Sequence, residues 1–120
     1  DGLIKWIVWD NNEAFQNGNR SGSLSFSMSE VSADWPLINY IAADDVYFET
    51  YKSYVKSFIE TSFSTSRMSS KYTDAQLLLQ EYADAERTGY SYVNGQFSSA
   101  ISQMKTHNAS RVSEANSFVQ

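Results

Sequence analysis

Residues 45–60 read DVYFETYKSYVKSFIE and carry the clearest helical pattern in the chain. Their apolar side chains recur every three or four positions, which is the spacing of one face of an α-helix. The charged residues Lys52, Lys56 and Glu60 fall between them and are expected to face solvent. An aspartate at the start, Asp44 or Asp45, suits the first position of such a helix. The pattern predicts one buried face, formed by Tyr47, Phe48, Tyr51, Tyr54, Val55, Phe58 and Ile59.

Helical patterns also precede and follow this segment. Pro36 suits the first turn of a short helix that ends near Ala43. Ser64 can cap a longer helix that reaches Glu86 or Arg87. Residues 73–76, Thr-Asp-Ala-Gln, resemble a capping box that would divide this helix, but we favour one continuous helix.

The C-terminal part of the chain is predicted to hold two more helices. Phe97, Ile101 and Met104 mark the first of them, and Asn108 is expected to cap a separate last helix. The body of the molecule is therefore predicted to be a helical bundle.

The N-terminal third has a different composition. Residues 3–9, Leu-Ile-Lys-Trp-Ile-Val-Trp, are short and rich in β-branched and aromatic side chains, which favours a largely buried strand. Residues 11–32 turn to Asn, Ser and Gly and read as a loop. Within it, Leu24, Phe26 and Met28 alternate with serines, a pattern that suits either a short strand or a loop. The predicted fold class is mainly α, with a short N-terminal β element.

Length and charge restrict the classes of function. A chain of 120 residues with 42% hydrophobic residues forms one domain rather than two. Its net charge of −5 argues against a nucleic-acid partner and a polybasic membrane anchor, because both need clustered Lys and Arg. Without Cys, neither disulfides nor thiolate metal sites are available. The sequence does not indicate a cellular compartment.

The first residues suggest that the chain is part of something larger. Asp1-Gly2 reads as a tight hairpin turn, yet no strand precedes it. We therefore expect residues 1–120 to be a single domain or a domain fragment whose upstream part is absent.

Asp10 and Asn12 follow the predicted strand and are the candidate metal ligands. If the chain stays extended there, residues two positions apart point to the same side, so the carboxylate and the carboxamide can converge on one cation. Oxygen ligands suit Mg²⁺, Mn²⁺ or Ca²⁺. The alternative is that Asp-Asn-Asn only ends the strand, because these side chains readily bond their own backbone.

Three stretches together resemble the C-terminal part of the spore coat protein H (CotH) kinase family. They are residues 5–15, KWIVWDNNEAF, residues 35–38, WPLI, and residues 45–51, DVYFETY. The first is the most specific, because in the family a strand ends in a Trp-Asp motif that is followed by a second Asp or Asn and then Ala-Phe. Gln16 stands where the family usually has Gly.

The resemblance implies the C-lobe of an atypical kinase-like fold. Family members resemble atypical protein kinases and transfer phosphate from ATP to protein Ser or Thr. By that match, Asp10 has the metal-holding role of the DFG aspartate, and Asn12 supports it. The nucleotide-contacting Lys and the catalytic Asp lie upstream of this motif in the family and are not in this chain. The expected cofactors of the intact parent are ATP with Mg²⁺ or Mn²⁺, none of them bound tightly here, and the chain alone is expected to be inactive.

A different class of function stays open beside the kinase interpretation. The chain is then a non-catalytic helical module for protein interaction or structure, and Asp10 only ends a strand.

In the kinase interpretation, the expected partner is a protein substrate of the parent. Neither a nucleic acid nor a membrane is expected as a partner. In either case the unpaired strand edge is expected to favour self-association.

Overall fold

The computed structural model describes residues 25–86 and 96–120, and 77% of these residues are helical. Four helices follow one another: α1 (Pro36–Ala43), α2 (Asp45–Glu60), α3 (Thr65–Asp84) and α4 (Phe97–Val119). The predicted mainly-α class is confirmed. The predicted strand at residues 3–9 lies outside the described residues.

The starts of α1 and α2 follow the predicted chemistry. Pro36 occupies the first turn of α1, where its missing N–H costs no helical hydrogen bond. Asp44 caps α2: its Oδ1 accepts hydrogen bonds from the backbone N–H groups of Val46 at 3.0 Å and Tyr47 at 3.1 Å. The boundary between the two helices is therefore set by one side chain.

Helix α3 is continuous through residues 73–76, as predicted. Ser64 stands at its N-cap but makes no capping hydrogen bond with its side chain. The Thr73 hydroxyl donates to the Ser69 carbonyl inside the helix at 2.9 Å, so it does not cap a new helix start. The helix ends at Asp84, two or three residues before the predicted end at Glu86 or Arg87.

The prediction of two C-terminal helices was wrong, because α4 runs unbroken over 23 residues. Asn108 lies inside it with 1% of its surface exposed. Its side-chain Nδ2 donates to the Phe63 carbonyl at 3.1 Å instead of capping a neighbouring turn. The side chain predicted to be a helix cap therefore binds a backbone carbonyl that is distant in the sequence.

Residues 25–34 form turns. The short strand considered as one alternative for residues 24–28 is therefore not formed by residues 25–28. The Met28 N–H donates to the Ser25 carbonyl at 3.2 Å, and the Val31 N–H donates to the Met28 carbonyl at 3.0 Å. Met28 itself has a φ of 55°, in the left-handed region. Such a φ is incompatible with a strand and costs a non-glycine residue about 1 kcal/mol or more.

Helix α4 packs against both α2 and α3, and α1 packs against α2. Among the described residues the buried apolar side chains are Ile59, Tyr72, Ile101 and Ala115. They belong to α2, α3 and α4, so the core lies along α4. No described helix is long and apolar enough to cross a membrane.

The predicted buried face of α2 was too wide. Ile59 is buried, and Phe48 and Tyr51 are half-buried against Phe118 of α4. Tyr54 and Phe58 point outward instead, with 71% and 53% of their surface exposed. The apolar residues of α2 cover more of the helix circumference than one neighbouring helix can bury, because two helices touch along a single stripe.

Candidate functional site

The predicted metal ligands, Asp10 and Asn12, lie outside the described residues. Across residues 25–86 and 96–120, no group of three His, Cys, Asp or Glu side chains lies close enough to hold a metal ion. The described part of the chain shows how residues 25–34, which come after the predicted ligands in the sequence, are anchored on the helices.

The first anchoring contact of residues 25–34 is a pair of hydrogen bonds between Ser25 and Glu30. The Ser25 backbone N–H donates to Glu30 Oε1 at 3.0 Å, and its hydroxyl donates to Oε2 at 2.7 Å. The Ser25 hydroxyl, helped by the backbone N–H groups of Glu30 and Ser25, holds the pKa of Glu30 below its ordinary 4.5. At neutral pH the ionised carboxylate closes this turn.

An apolar cleft of about 340 Å³ lies between this turn and α1. Its walls include Met28, Val31, Trp35 and Ile38. Glu30 supplies the charged group on its lining, and both of its oxygens already accept hydrogen bonds from Ser25. The cleft therefore combines apolar walls with a carboxylate that is already engaged.

Phe118, near the end of α4, is the centre of an aromatic cluster. Its ring lies 5.9 Å from that of Phe26, 5.8 Å from that of Phe48 and 5.8 Å from that of Tyr51, measured between centroids. Lys52 Nζ lies 6.0 Å from the same ring. The cluster joins the turn segment, α2 and α4, with rings at distances typical of favourable aromatic pairs.

Arg111 closes this cluster from the side of α4. Its guanidinium lies 4.3 Å from the centroid of the Phe26 ring, in cation–π geometry. Arg111 Nη1 also donates to Glu114 Oε2 at 2.6 Å, and only 16% of the Arg111 side chain is exposed. The arginine thus holds Phe26, which lies 16 residues after Asp10, against the helical body.

Tyr51 lies in the same cluster. Burial raises the pKa of its hydroxyl above the ordinary 10.0, and the positive charge of Arg111 opposes this shift. The hydroxyl is therefore neutral at physiological pH, and its ring packs on Phe118.

Sequence reasoning missed the link between Phe26 and Arg111, and with it the link between Asn108 and Phe63. Each joins residues that are far apart in the chain, and neither has a local sequence signature. The sequence did contain one signal for the ring cluster, which is the series of aromatic residues in α2. Its spacing indicated a helix face but did not identify Phe118 as the residue that packs on it.

The single histidine, His107, is half-buried on α4. In the described part of the chain the side-chain arrangements serve anchoring: a turn closed by Glu30, a ring cluster closed by Arg111, and a buried asparagine on a backbone carbonyl.

The sequence model of the CotH kinase protein family matches residues 1–114. No curated protein and no solved structure matches the chain. The matched range includes the Trp9-Asp10 motif, the turn segment, α1, α2, α3 and most of α4. A match over nearly the whole length establishes the family, and the chain belongs to the CotH kinase proteins.

Proposed function

We propose that this chain is the metal-holding, C-terminal portion of a CotH-type atypical kinase domain. In the intact parent, the domain transfers phosphate from ATP to Ser or Thr of a protein substrate. The family match over residues 1–114 carries this proposal, because it extends over the motif that holds Asp10 and Asn12.

The donor chemistry of the motif suits the expected cation. The Asp10 carboxylate and the Asn12 carboxamide provide oxygen atoms, which Mg²⁺ and Mn²⁺ prefer. When bound, the divalent ion neutralises charge on the nucleotide phosphates. Asp10 would be its principal ligand and Asn12 a supporting ligand or a hydrogen-bond partner of a ligand.

The helical body supports the motif by anchoring the chain that follows it. Phe26 is held by Arg111 and Phe118, and Glu30 closes the turn that leads to α1. Phosphoryl transfer depends on positioning and charge neutralisation, so holding Phe26 and the turn at Glu30 in place would contribute to the geometry of the site.

The chain by itself is proposed to be inactive. In the family, the nucleotide-contacting Lys and the catalytic Asp belong to segments upstream of the Trp-Asp motif. Without them, neither the nucleotide nor the attacking hydroxyl is positioned.

The experiment is Asp10→Asn in the longer parent protein, with Asp34→Asn as the matched control. Asp34 is an exposed aspartate of the turn segment and accepts a hydrogen bond from Ser32. We expect Asp10→Asn to lower phosphoryl transfer by at least about a hundredfold. Asn12→Ala should weaken metal-dependent nucleotide binding by about tenfold. Unchanged transfer and unchanged nucleotide binding in Asp10→Asn would remove the assignment.

The second candidate is a non-catalytic interaction module. It is favoured by the eleven large hydrophobic side chains that are exposed among the described residues, Trp35 and Leu77 among them. A parent that shows no metal-dependent nucleotide binding, but loses a protein partner when these side chains are changed, would establish this alternative. Self-association through a strand edge at residues 3–9 stays a prediction, since those residues lie outside the described ranges.

A further inference from the structure

A set of apolar and mostly aromatic side chains of α2 is exposed. Its members are Val46, Tyr47, Tyr54 and Phe58, with Tyr40 of α1 beside Tyr47. Their exposed fractions run from 52% for Tyr47 to 75% for Val46. This set is called the outer face of α2 below. An exposed apolar patch of this kind commonly marks an interaction site.

We propose that the outer face of α2 binds the same face of a second copy of this chain, with the two α2 helices antiparallel. This proposal goes beyond the kinase assignment and does not depend on metal or nucleotide. Three observations carry it: the area that the face offers, its lack of charge, and the hydrogen bonds already made by the hydroxyl groups beside it.

The exposed rings supply a large part of the area that a specific dimer needs. A buried aromatic side chain removes roughly 150–250 Å² from water. At the observed exposures, the rings of Tyr40, Tyr47, Tyr54 and Phe58 offer on the order of 500 Å². A standard interface buries about 800 Å² on each partner, so these four rings supply more than half of it.

The face carries no ionisable acid or base with a charge at neutral pH. The charged residues of α2 are spaced four, three, four and four positions apart, which places them together on another side of the helix: Asp45, Glu49, Lys52, Lys56 and Glu60. A neutral face can meet its own copy without like-charge repulsion, although the chain has a net charge of −5. It offers no attraction to a nucleic acid or an anionic membrane.

Hydroxyl groups beside the rings are already bonded within the helix. Thr50 Oγ1 donates to the Val46 carbonyl at 2.8 Å, and Ser53 Oγ donates to the Thr50 carbonyl at 2.7 Å. Burial against a partner would therefore leave neither donor unsatisfied.

The register of the rings suits a twofold axis. Tyr47 and Tyr54 are seven positions apart, which is two helical turns or about 10.5 Å. An antiparallel copy centred beside Thr50 brings Tyr47 of each protomer to Tyr54 of its partner. Every contact then occurs twice, as in any isologous dimer.

Sedimentation of the 120-residue chain over about 1–100 µM tests the proposal, with Tyr54→Glu as the variant. The matched control is Leu78→Glu, because Leu78 of α3 is 72% exposed and Tyr54 is 71% exposed. We expect a monomer–dimer equilibrium whose Kd rises at least about tenfold in Tyr54→Glu and is unchanged in Leu78→Glu. Circular dichroism of both variants is the check that they keep their helices.

A second measurement uses the absence of cysteine from the sequence. Thr50→Cys lies beside the proposed axis and should form a covalent dimer on mild oxidation, because two cysteines can bridge only at Cα separations of about 4.4–6.8 Å. Leu77→Cys, on the exposed side of α3, should not.

Three results would overturn the proposal: a monomer at every concentration, a dimer that Tyr54→Glu leaves unchanged, or equal cross-linking of both cysteine variants. A monomer whose outer face becomes protected only in the longer parent would point to the upstream lobe as the occupant.

Discussion

Asn108 and Phe63 are 45 positions apart, yet the Asn108 side chain donates a hydrogen bond to the Phe63 carbonyl at 3.1 Å. Phe63 follows the end of α2, where backbone carbonyls have no partner within the helix. Asn108 is almost completely buried in α4. One side chain therefore links the connection between α2 and α3 to the helix on which both of them pack.

Removing this link should destabilise the fold. Asn108→Ala takes away the donor, leaves the Phe63 carbonyl without this partner and creates a small cavity, so we expect a loss of about 1–3 kcal/mol in the free energy of unfolding. Urea denaturation followed by circular dichroism measures it. Asn116→Ala is the control, because Asn116 is an exposed residue of the same helix. Equal stabilities of the two variants would show that the hydrogen bond has no structural weight.

Arg111 should be irreplaceable by lysine at its position over Phe26. A lysine keeps the charge but loses the planar group that lies 4.3 Å from the ring centroid. We expect Arg111→Lys to loosen residues 25–34 by about 1 kcal/mol. Amide hydrogen exchange at Met28 and Val31, whose N–H groups close the turns, should become about fivefold faster.

The control for this exchange measurement is Arg67→Lys, at an exposed position of α3. It should leave exchange in the turn segment unchanged. If Arg111→Lys behaves in the same way, the stacking contact does not hold the segment.

Tyr72 should make the fold sensitive to alkaline pH. Its side chain is buried, its hydroxyl has no hydrogen-bond partner, and burial raises its pKa above 10.0. Above pH 10 the unfolded chain loses this proton before the folded chain does, so the folded state binds more protons and stability falls as pH rises. We expect Tyr72→Phe to reduce this fall and to raise stability at neutral pH by about 1 kcal/mol, since an unpaired buried hydroxyl is removed.

Denaturation at pH 7 and pH 10.5 checks this. Tyr82→Phe is the matched control, because the Tyr82 side chain is 72% exposed on the same helix. A Tyr72→Phe variant that is less stable than the parent at neutral pH would mean that the hydroxyl has a partner in solution.

Local chemistry accounts for what the sequence predicted correctly. Pro36 and Asp44 act on the backbone within a few residues, so they locate the starts of α1 and α2 without knowledge of the fold. The continuity of α3 follows from the same kind of local pattern.

The errors concern partners that are distant in the chain. The sequence around Asn108 is typical of a helix cap, but its side chain donates to the Phe63 carbonyl. The spacing of Tyr54 and Phe58 predicts a helix face but does not predict which part of that face a neighbouring helix covers. For the candidate site, Asp10 and Asn12 stay predictions from the sequence, while the contact between Phe26 and Arg111 required three-dimensional information.

The last prediction concerns metal and phosphate in the 120-residue chain itself. As the proposed ligands, Asp10 and Asn12 would fill only part of an octahedral shell, and Mg²⁺ gives up its waters reluctantly. We expect a Kd for Mn²⁺ of about 1 mM or weaker by titration calorimetry, and no transfer of labelled phosphate from ATP to casein. Glu13→Gln controls for non-specific binding, because Glu13 is a carboxylate of the same stretch without an assigned role. Phosphate transfer that persists in this chain and disappears in Asp10→Ala, but not in Glu13→Gln, would show that these residues suffice for catalysis. The proposed need for an upstream lysine and aspartate would then be wrong, while Asp10 would keep its role.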